Sequence, residues 1–473
     1  MPLSSSEFHA RFALPSPAPT SESNKAALRS SFKGHEYSTL YFLQEVASTT
    51  ICGGIGAALL PLYCAGRVVF GRPPRVTPVK DILIYIRRSL FIGRNVPLLK
   101  RLDLFIQSTR RLFIIPVIGL AWHIDELLYG RQLRQLKIER PVFVISGARS
   151  GSTTLGHLLD NDNELVGPSG VMGMVPFLWM WKVCSFLSRY KVLPKADTFA
   201  SKVKNHMDST AAEFTARHET NIMKPDTFEV PYLVFRHFFW VSYDLGADCM
   251  VENFPLCEGG SGVLKDDFMN FLDSVMRKTM LWNNMPGDFS RRLIVKGHFL
   301  ECAESLEERY EGAVFVTVVR DFNKRMESLM NFMIANRLLS VARCPVPTEQ
   351  NLADLGEAIT RVEAKYQEHE REFFNNRTAG DNRNKIAIDF NQYINDPQSA
   401  VKKIYKVIDG HHGGEVPPEI DEAMAKGAEQ HKARKKVKYY IKCSLAEFGV
   451  DESKTKVLGT LVNSEGQITS ATT

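Results

Sequence analysis

The sequence predicts an α/β fold in which helices cover both faces of a central parallel β-sheet. Four short apolar runs support this prediction; they begin at Val142, Leu293, Val314 and Ile386. Each run is rich in β-branched residues, and stretches with helical periodicity separate them. Continuous apolar strands that alternate with helices are typical of a parallel sheet buried on both sides. We therefore expect a three-layer α/β/α architecture.

The composition is that of an ordinary folded protein with a mild basic excess. Of the 473 residues, 44% are hydrophobic and 24% are charged, and the net charge is +6. This charge is too small to indicate a nucleic-acid-binding protein, but it is compatible with an anionic ligand. The eight cysteines show no CxxC motif or other metal-ligand spacing, so the sequence predicts no metal site.

Both ends of the chain have compositions that predict little structure. Residues 1–36 are rich in Ser, Pro and Ala, and we expect them to be disordered because they offer few large apolar side chains for a core. Residues 457–473 return to small polar residues, and we expect a flexible tail.

The region 37–130 is predicted to be helical and to include a candidate membrane anchor at 47–66. No charged residue occurs in those 20 positions, which matches the length that a helical span requires. The stretch is dominated by small residues and contains Pro61, so a buried or peripheral helix is an equal alternative. Apolar and basic patches follow at 77–130, as in helices that lie on an anionic membrane or pack on another domain. Membrane association is thus predicted through residues 47–122.

A glycine-containing turn follows the first predicted strand and precedes a helix. Such a turn directs backbone N–H groups at an anion, and the helix N-terminus adds partial positive charge. The motif of phosphate-loop nucleoside triphosphatases requires a lysine after the last glycine, where this chain has Ser152. A structural turn that binds no ligand is a further alternative. The candidate anion-binding residues are Gly147, Arg149, Ser150, Gly151, Ser152, Thr153 and Thr154.

Two further strand ends carry polar residues. Arg320 ends the third apolar run, and Ser328 follows about two helical turns later, so both can reach one phosphate in the crevice of an open sheet. An ion pair of Arg320 with Asp321 at the helix start is the structural alternative. Lys296 and His298 end the second run, and strand alternation directs both side chains the same way if the strand continues that far.

Together these motifs resemble those of the sulfotransferase superfamily. The segment 149–154 is similar to the Arg-Ser-Gly-Thr-Thr loop of its tyrosylprotein, bacterial and algal-like branches, which binds the 5′-phosphosulfate of 3′-phosphoadenosine 5′-phosphosulfate (PAPS) without a metal. The resemblance implies that Arg320 and Ser328 bind the 3′-phosphate of this donor. It also implies a sulfotransferase domain of the phosphate-loop type, at 131–456.

The resemblance leaves the catalytic base open. Residues 296–298 resemble the Lys-Thr-His element of cytosolic sulfotransferases, which implies His298 as the base and Lys296 as a contact of the transferred group. The Arg-Ser-Gly branches instead use a glutamate soon after the first helix, where this chain offers only Glu164, too early in the segment. Glu229 is the second candidate for the base.

The predicted function is transfer of a sulfuryl group from PAPS to an acceptor hydroxyl, or to an amine, of a small molecule, lipid or carbohydrate. Two other classes compete with it: a phosphate-loop nucleoside kinase or triphosphatase, and an inactive nucleotide-binding, membrane-associated protein. The expected location is a Golgi or other endomembrane, with the cytoplasm as the alternative, and the sequence does not indicate an oligomeric state.

Overall fold

The structure is a computed structural model of the 473-residue chain. It describes residues 5–33, 39–73, 98–169, 175–193, 262–285, 291–336, 346–376, 384–408, 416–425, 441–463 and 467–470, with a few single positions between them.

Five parallel strands form the central sheet, and a two-stranded antiparallel ribbon lies near the C-terminus. The order across the large sheet is β2-β3-β1-β4-β5, so β1 lies between β3 and β4. The strands are β1 Val142–Ile145, β2 Leu165–Val166, β3 Arg292–Gly297, β4 Val314–Val319, β5 Lys385–Asp389, β6 Thr460–Val462 and β7 Ile468–Ser470.

Helices connect the strands and precede the first of them. In chain order the helices are α1 Ser5–Arg11, α2 Glu22–Phe32, α3 Thr39–Phe70, α4 Leu98–Gln135, α5 Ser152–Leu159, α6 Leu178–Arg189, α7 Gly262–Trp282, α8 Ala303–Arg309, α9 Phe322–Asn336, α10 Glu349–Asn375, α11 Phe390–Asn395, α12 Pro397–Ile408 and α13 Glu452–Thr455.

Both faces of the sheet are buried. Alternate residues of one strand belong to different apolar clusters: Phe143 of β1 packs among side chains of α7 and α10, whereas Val142 packs among those of α5 and α12. Strands β3 and β4 divide their side chains in the same way. Because each face is covered by helices, the predicted three-layer α/β/α architecture is confirmed.

The N-terminal segment differs from the expectation of disorder at 1–36. It forms α1 and α2, and Phe8, Phe12, Leu28 and Phe32 are buried against α9 and α10. The carboxylate of Glu447 also accepts hydrogen bonds from this segment. Four large apolar side chains at suitable spacing outweigh the Ser- and Pro-rich composition, because burial depends on where these residues lie.

The C-terminal tail also differs from the expectation of flexibility at 457–473. Strands β6 and β7 pair within it, and Ile468 of β7 is buried in the cluster on the α7 and α10 face of the sheet. The side-chain amide of Asn375 donates to the carbonyl of Ile468, and its oxygen accepts from the Ile468 N–H. Val462 packs against the same cluster, and the side-chain amide of Gln367 donates to Oγ1 of Thr460, so both strands of the ribbon are attached to the domain.

Helices α3 and α4 begin within the predicted helical region at 37–130 and lie against each other, and most of residues 74–97 between them lie outside the described residues. Two segments, Phe42–Phe70 and Leu112–Gln135, have the length and apolar composition of membrane spans. Within an apolar window of 18 residues, only 17% of the first segment and 28% of the second is buried.

Candidate donor-binding site

Three neighbouring strands end at the same edge of the sheet, and each is followed by predicted site residues. Val144 and Ile145 of β1 lie beside Lys296 and Gly297 of β3, and Val144 also lies beside Val316 of β4. The chain crosses over β1 between β3 and β4, so this edge contains the point where the strand order reverses. Ligands of open α/β sheets bind at such points.

The loop after β1 curls tightly before α5 begins. Arg149 has φ of 66° and Gly151 has φ of 102°, both in the left-handed region, and the N–H of Ser150 donates to the carbonyl of Gly147. Gly151 is the N-cap of α5 and supplies no side-chain cap. The N-terminus of the helix therefore lies at the carboxyl edge of the sheet, where its partial positive charge favours an anion.

Gly147 allows a buried arginine to reach the loop from behind. A methyl group added at Gly147 would lie 1.4 Å from Nη1 of Arg325, a residue of α9 that is only 2% exposed. The guanidinium of Arg325 forms an ion pair with Glu363 at 3.2 Å and donates to Oε1 of Gln367 at 3.1 Å. Any side chain at position 147 would displace either the loop or this guanidinium.

Glu370 joins this buried group at the same glycine. Its carboxylate accepts hydrogen bonds from the N–H of Gly147 and from the hydroxyl of Thr317 on β4. Burial raises the pKa of Glu370 above its ordinary value, although Arg325 and these hydrogen bonds oppose the change. The loop thus rests on a buried polar layer contributed by α9, α10 and β4.

Arg149 connects the predicted loop with the predicted 3′-phosphate residues. Its Nε donates to Oγ of Ser328 at 3.1 Å, and its carbonyl accepts from Nη1 of Arg320 at 2.9 Å. The guanidinium of Arg320 stacks over Phe390 with 4.7 Å to the ring centroid. The ring of Phe390 also packs against Gly151, because a methyl group there would lie 2.6 Å from it.

The two β3 residues approach the loop differently. Nζ of the fully buried Lys296 donates to Oγ1 of Thr153 at 3.1 Å, so the neighbouring strand brings a lysine to a loop that contains none. His298 lies 2.6 Å through Nδ1 from the carbonyl oxygen of Ser146. Since a carbonyl only accepts, Nδ1 carries the proton, and a neutral ring then has its lone pair on Nε2.

The structure brings most of the predicted site residues together. The loop 147–154, Lys296, His298, Arg320 and Ser328 all lie at the carboxyl edge of the sheet. Strand β3 ends at Gly297, so alternation does not determine the direction of His298. Glu229 lies outside the described residues. Glu164 directly precedes β2, which pairs with the start of β3, and so lies at the opposite edge.

A comparison with known protein families identifies the family of this chain. A family model described as "Sulfotransferase family" matches residues 141–410, more than half of the chain and all five strands of the large sheet. The chain belongs to the sulfotransferase family.

Two solved sulfotransferases resemble the chain in structure. STF1 from Mycobacterium tuberculosis H37Rv is 16% identical with a TM-score of 0.45, and the match covers 79% of this chain and 97% of that one. STF9 from Mycobacterium avium is 14% identical with a TM-score of 0.48, and the match covers 84% and 93%. No curated protein matches the chain in sequence.

Sequence reasoning missed three residues of this sulfotransferase that contact the loop: Arg325, Glu370 and Phe390. A signal exists for the layer behind the loop, because Glu363, Gln367 and Glu370 follow an i, i+4, i+7 pattern on the buried face of α10. A polar stripe among buried apolar residues indicates a buried partner on another element. Phe390 has no comparable signal, since an aromatic residue after a strand is ordinary core.

Among the residues that the structure describes, no three His, Cys, Asp or Glu side chains are grouped as metal ligands would be. The metal-free mechanism implied by the resemblance stays a prediction.

Proposed function

We propose that this sulfotransferase uses PAPS as its donor and transfers the sulfuryl group to a hydroxyl, or to an amine, of a small molecule, lipid or carbohydrate. The observation that carries the proposal is the contact of Arg149 with both Arg320 and Ser328. This contact places the loop, which is suited to bind one anionic group, beside Arg320 and Ser328, which are suited to bind a second anionic group. PAPS has two anionic groups, a 5′-phosphosulfate and a 3′-phosphate.

The residues at the sheet edge fit such a donor. Arg149, Lys296 and Arg320 donate in the contacts described above to hydroxyl or carbonyl oxygens. We assign the 5′-phosphosulfate to the loop 147–154 with the N-terminus of α5, and the 3′-phosphate to Arg320 and Ser328. The donor supplies an activated sulfuryl group bonded to a phosphate leaving group.

Lys296 and His298 fit the two charge-handling steps. Nε2 of His298 would accept the proton of the acceptor hydroxyl while the acceptor oxygen forms its bond to sulfur. The bond between sulfur and the 5′-phosphate oxygen breaks, and Lys296 would stabilise the negative charge that develops on that oxygen. The hydrogen bond from Nδ1 of His298 to Ser146 holds the ring in the tautomer that this role requires.

Glu229 remains the second candidate for the base, and amine acceptors remain the less favoured class. The assignment to a Golgi or other endomembrane, with the cytoplasm as the alternative, stays a prediction from the sequence.

Ligand-dependent melting tests the donor assignment. Purified protein is heated with 3′-phosphoadenosine 5′-phosphate, 5′-AMP, ATP or ATP with magnesium. We expect the bisphosphate to stabilise the protein most, by about 2.7 kcal/mol at a hundredfold excess over its Kd. Stabilisation by ATP with magnesium alone would identify a nucleoside kinase or triphosphatase and refute the proposal.

Variants of the second anion site sharpen that test. Arg320→Ala removes the guanidinium, and we expect it to weaken binding of the 3′,5′-bisphosphate by about 10- to 100-fold, the scale of a charged hydrogen bond. Binding of 5′-AMP should change far less. Equal losses for both nucleotides would show that Arg320 serves the loop and not a 3′-phosphate.

The base is tested by comparing His298→Ala with Glu229→Gln. We expect His298→Ala to lose about 10²- to 10⁴-fold in kcat, the usual contribution of general-base catalysis, with bisphosphate binding nearly unchanged. His9→Ala, on the surface of α1, is the control. Full activity of His298→Ala together with an inactive Glu229→Gln would transfer the role to Glu229.

A further inference from the structure

Helices α3 and α4 run in the same direction and lie side by side. Near the start of α3, Glu45 forms an ion pair with Arg110 of α4 at 2.8 Å. Further along, Gly56 adjoins the carbonyl of Phe113, and near the end of α3 Gly66 adjoins the ring of His123. Because residue numbers rise together in these contacts, the helices are parallel, and residues 74–97 connect the end of α3 to the start of α4.

Small residues form the inner face of this pair. A methyl group added at Gly56 would lie 2.1 Å from the carbonyl oxygen of Phe113, and one added at Gly119 would lie 2.1 Å from the ring of Tyr63. Gly66 is equally close to His123. Close backbone approach through glycine is typical of helices that associate within membranes, where large apolar side chains gain nothing by facing inward.

Large apolar side chains form the outer face of α3. In a soluble core helix the large apolar residues are buried, but nine of those described in α3 are exposed. Arg67 is the only charged residue in the sequence between positions 46 and 70. An exposed, largely apolar surface of this length indicates a contact that the described residues do not provide. The exposed residues of α3 are Leu43, Val46, Ile51, Ile55, Leu60, Leu62, Val68, Val69 and Phe70.

Both ends of α3 are held on the same body of the protein. Phe32, at the end of α2, is 1% exposed in the cluster formed with α9, and Arg72 forms an ion pair with Asp267 of α7. Only six Cα–Cα steps separate Lys33 from Thr39, which span at most about 22 Å. The hydrocarbon core of a bilayer is about 30 Å thick, so α3 cannot cross it while both attachments hold.

Helix α4 is also prevented from crossing. Asp125, in the middle of the apolar segment Leu112–Gln135, is 1% exposed and forms an ion pair with Lys278 of α7 at 2.7 Å. The same carboxylate accepts from the N–H groups of Leu178 and Trp179 at the start of α6. The second half of α4 therefore belongs to the folded body.

Basic residues are concentrated next to the apolar surface in the sequence. Residues 72–111 contain ten Lys or Arg and two Asp, a net charge of +8, whereas the whole chain has +6. The remainder of the protein is therefore slightly acidic. An apolar helix beside a strongly basic segment favours an anionic bilayer over a neutral one and over an apolar protein partner.

We propose that the α3 and α4 pair inserts in the plane of one leaflet of an anionic membrane, with the outer face of α3 in the lipid, and does not cross the bilayer. This docking surface is independent of the donor site. It places the sulfotransferase body on the membrane surface, on the same side as its N-terminal helices.

Vesicle flotation tests the docking surface. Full-length protein is mixed with phosphatidylcholine vesicles prepared with or without phosphatidylserine. We expect binding that strengthens with phosphatidylserine and weakens with salt. The triple variant Ile55→Asp, Leu62→Asp, Val69→Asp should bind at least about 100-fold more weakly, because three apolar side chains that would enter the lipid are lost.

Val457→Asp with Leu461→Asp is the matched control, because these residues are equally exposed but lie outside the pair. Normal bisphosphate binding by both variants would show that they are folded. If the wild type fails to float and instead forms dimers that the triple variant does not form, the face belongs to a second copy and the proposal is wrong.

Protease protection tests the in-plane arrangement. The full chain carries different epitope tags at its two ends and is made in sealed vesicles, and protease is added outside, with or without detergent. In-plane insertion predicts that both tags are digested together or protected together. Protection of one tag alone would show that the chain crosses the bilayer and would overturn the proposal.

Discussion

The edge of the sheet and the helix pair depart from ordinary protein polarity in opposite ways. Behind the loop, charged groups such as Arg325 and Glu370 are buried, whereas in the helix pair large apolar side chains such as Leu62 and Val69 are exposed. Glycine makes both arrangements possible, since Gly147 admits a guanidinium and Gly56 admits a backbone carbonyl. Behind the loop, the buried polar groups fix the position of the loop. On the outer face of α3, the exposed apolar side chains call for an environment less polar than water.

The largest expected effect is at the sheet edge. Lys296→Met removes the cation beside Thr153, and we expect kcat to fall by about 10²- to 10³-fold, the loss found when one group that stabilises transition-state charge is removed. Lys385→Met is the control, because Lys385 begins β5 at the opposite edge and pairs with Glu307. Sulfuryl transfer rates measure both, and equal losses would contradict a local role for Lys296.

Gly147→Ala tests the close approach of Arg325 to the loop. The added methyl group must displace the guanidinium or the loop, and we expect bisphosphate to bind about 10- to 100-fold more weakly. Titration calorimetry gives the Kd. Gly54→Ala, where a methyl group meets nothing within 4 Å, should bind normally. Unchanged affinity in Gly147→Ala would mean that the buried layer does not position the loop.

Gly56 and Gly54 provide a matched pair within α3. Gly56→Ala forces a methyl group against the carbonyl of Phe113 and should destabilise the pair by about 1–3 kcal/mol. Gly54→Ala faces open space and should be neutral or stabilise the helix by up to about 1 kcal/mol. Hydrogen exchange of α3 amides measures both, and equal protection in the two variants would contradict glycine-mediated packing.

The smallest effect concerns the pH dependence of stability. Because burial raises the pKa of Glu370, the folded protein binds this proton more tightly than the unfolded chain does. Its stabilising contribution is complete below the pKa of the unfolded chain and is lost as pH rises through the folded-state pKa. Glu370→Gln removes this loss, so its free energy of unfolding relative to wild type should rise as the pH increases above 4.5, the ordinary value of the glutamate pKa. Denaturant titrations measure it, and the exposed Glu22→Gln is the control.

Much of the fold and the position of the site could be predicted from the sequence, because strands and strand-end motifs are local patterns. Continuous apolar runs identified β1, β3, β4 and β5, and the glycine turn located the loop. Arg325 and Glu370 could not be assigned to the loop, since their contacts depend on how α9 and α10 pack behind it. The glycines of α3 weakened the sequence-based prediction of a membrane span. Their packing against α4 could not be predicted, because it depends on the position of the partner helix.

The folded N-terminus has a consequence for any attempt to isolate the enzyme. Helices α1 and α2 cover one side of α9, and α9 carries both Ser328 and Arg325. A fragment cut to the family segment 141–410 would expose that side to water and lose the clasp formed by Asn24 and Glu447. The folded unit of this sulfotransferase thus extends beyond the segment 141–410 that matches the family model, because α1 and α2 contribute to its core.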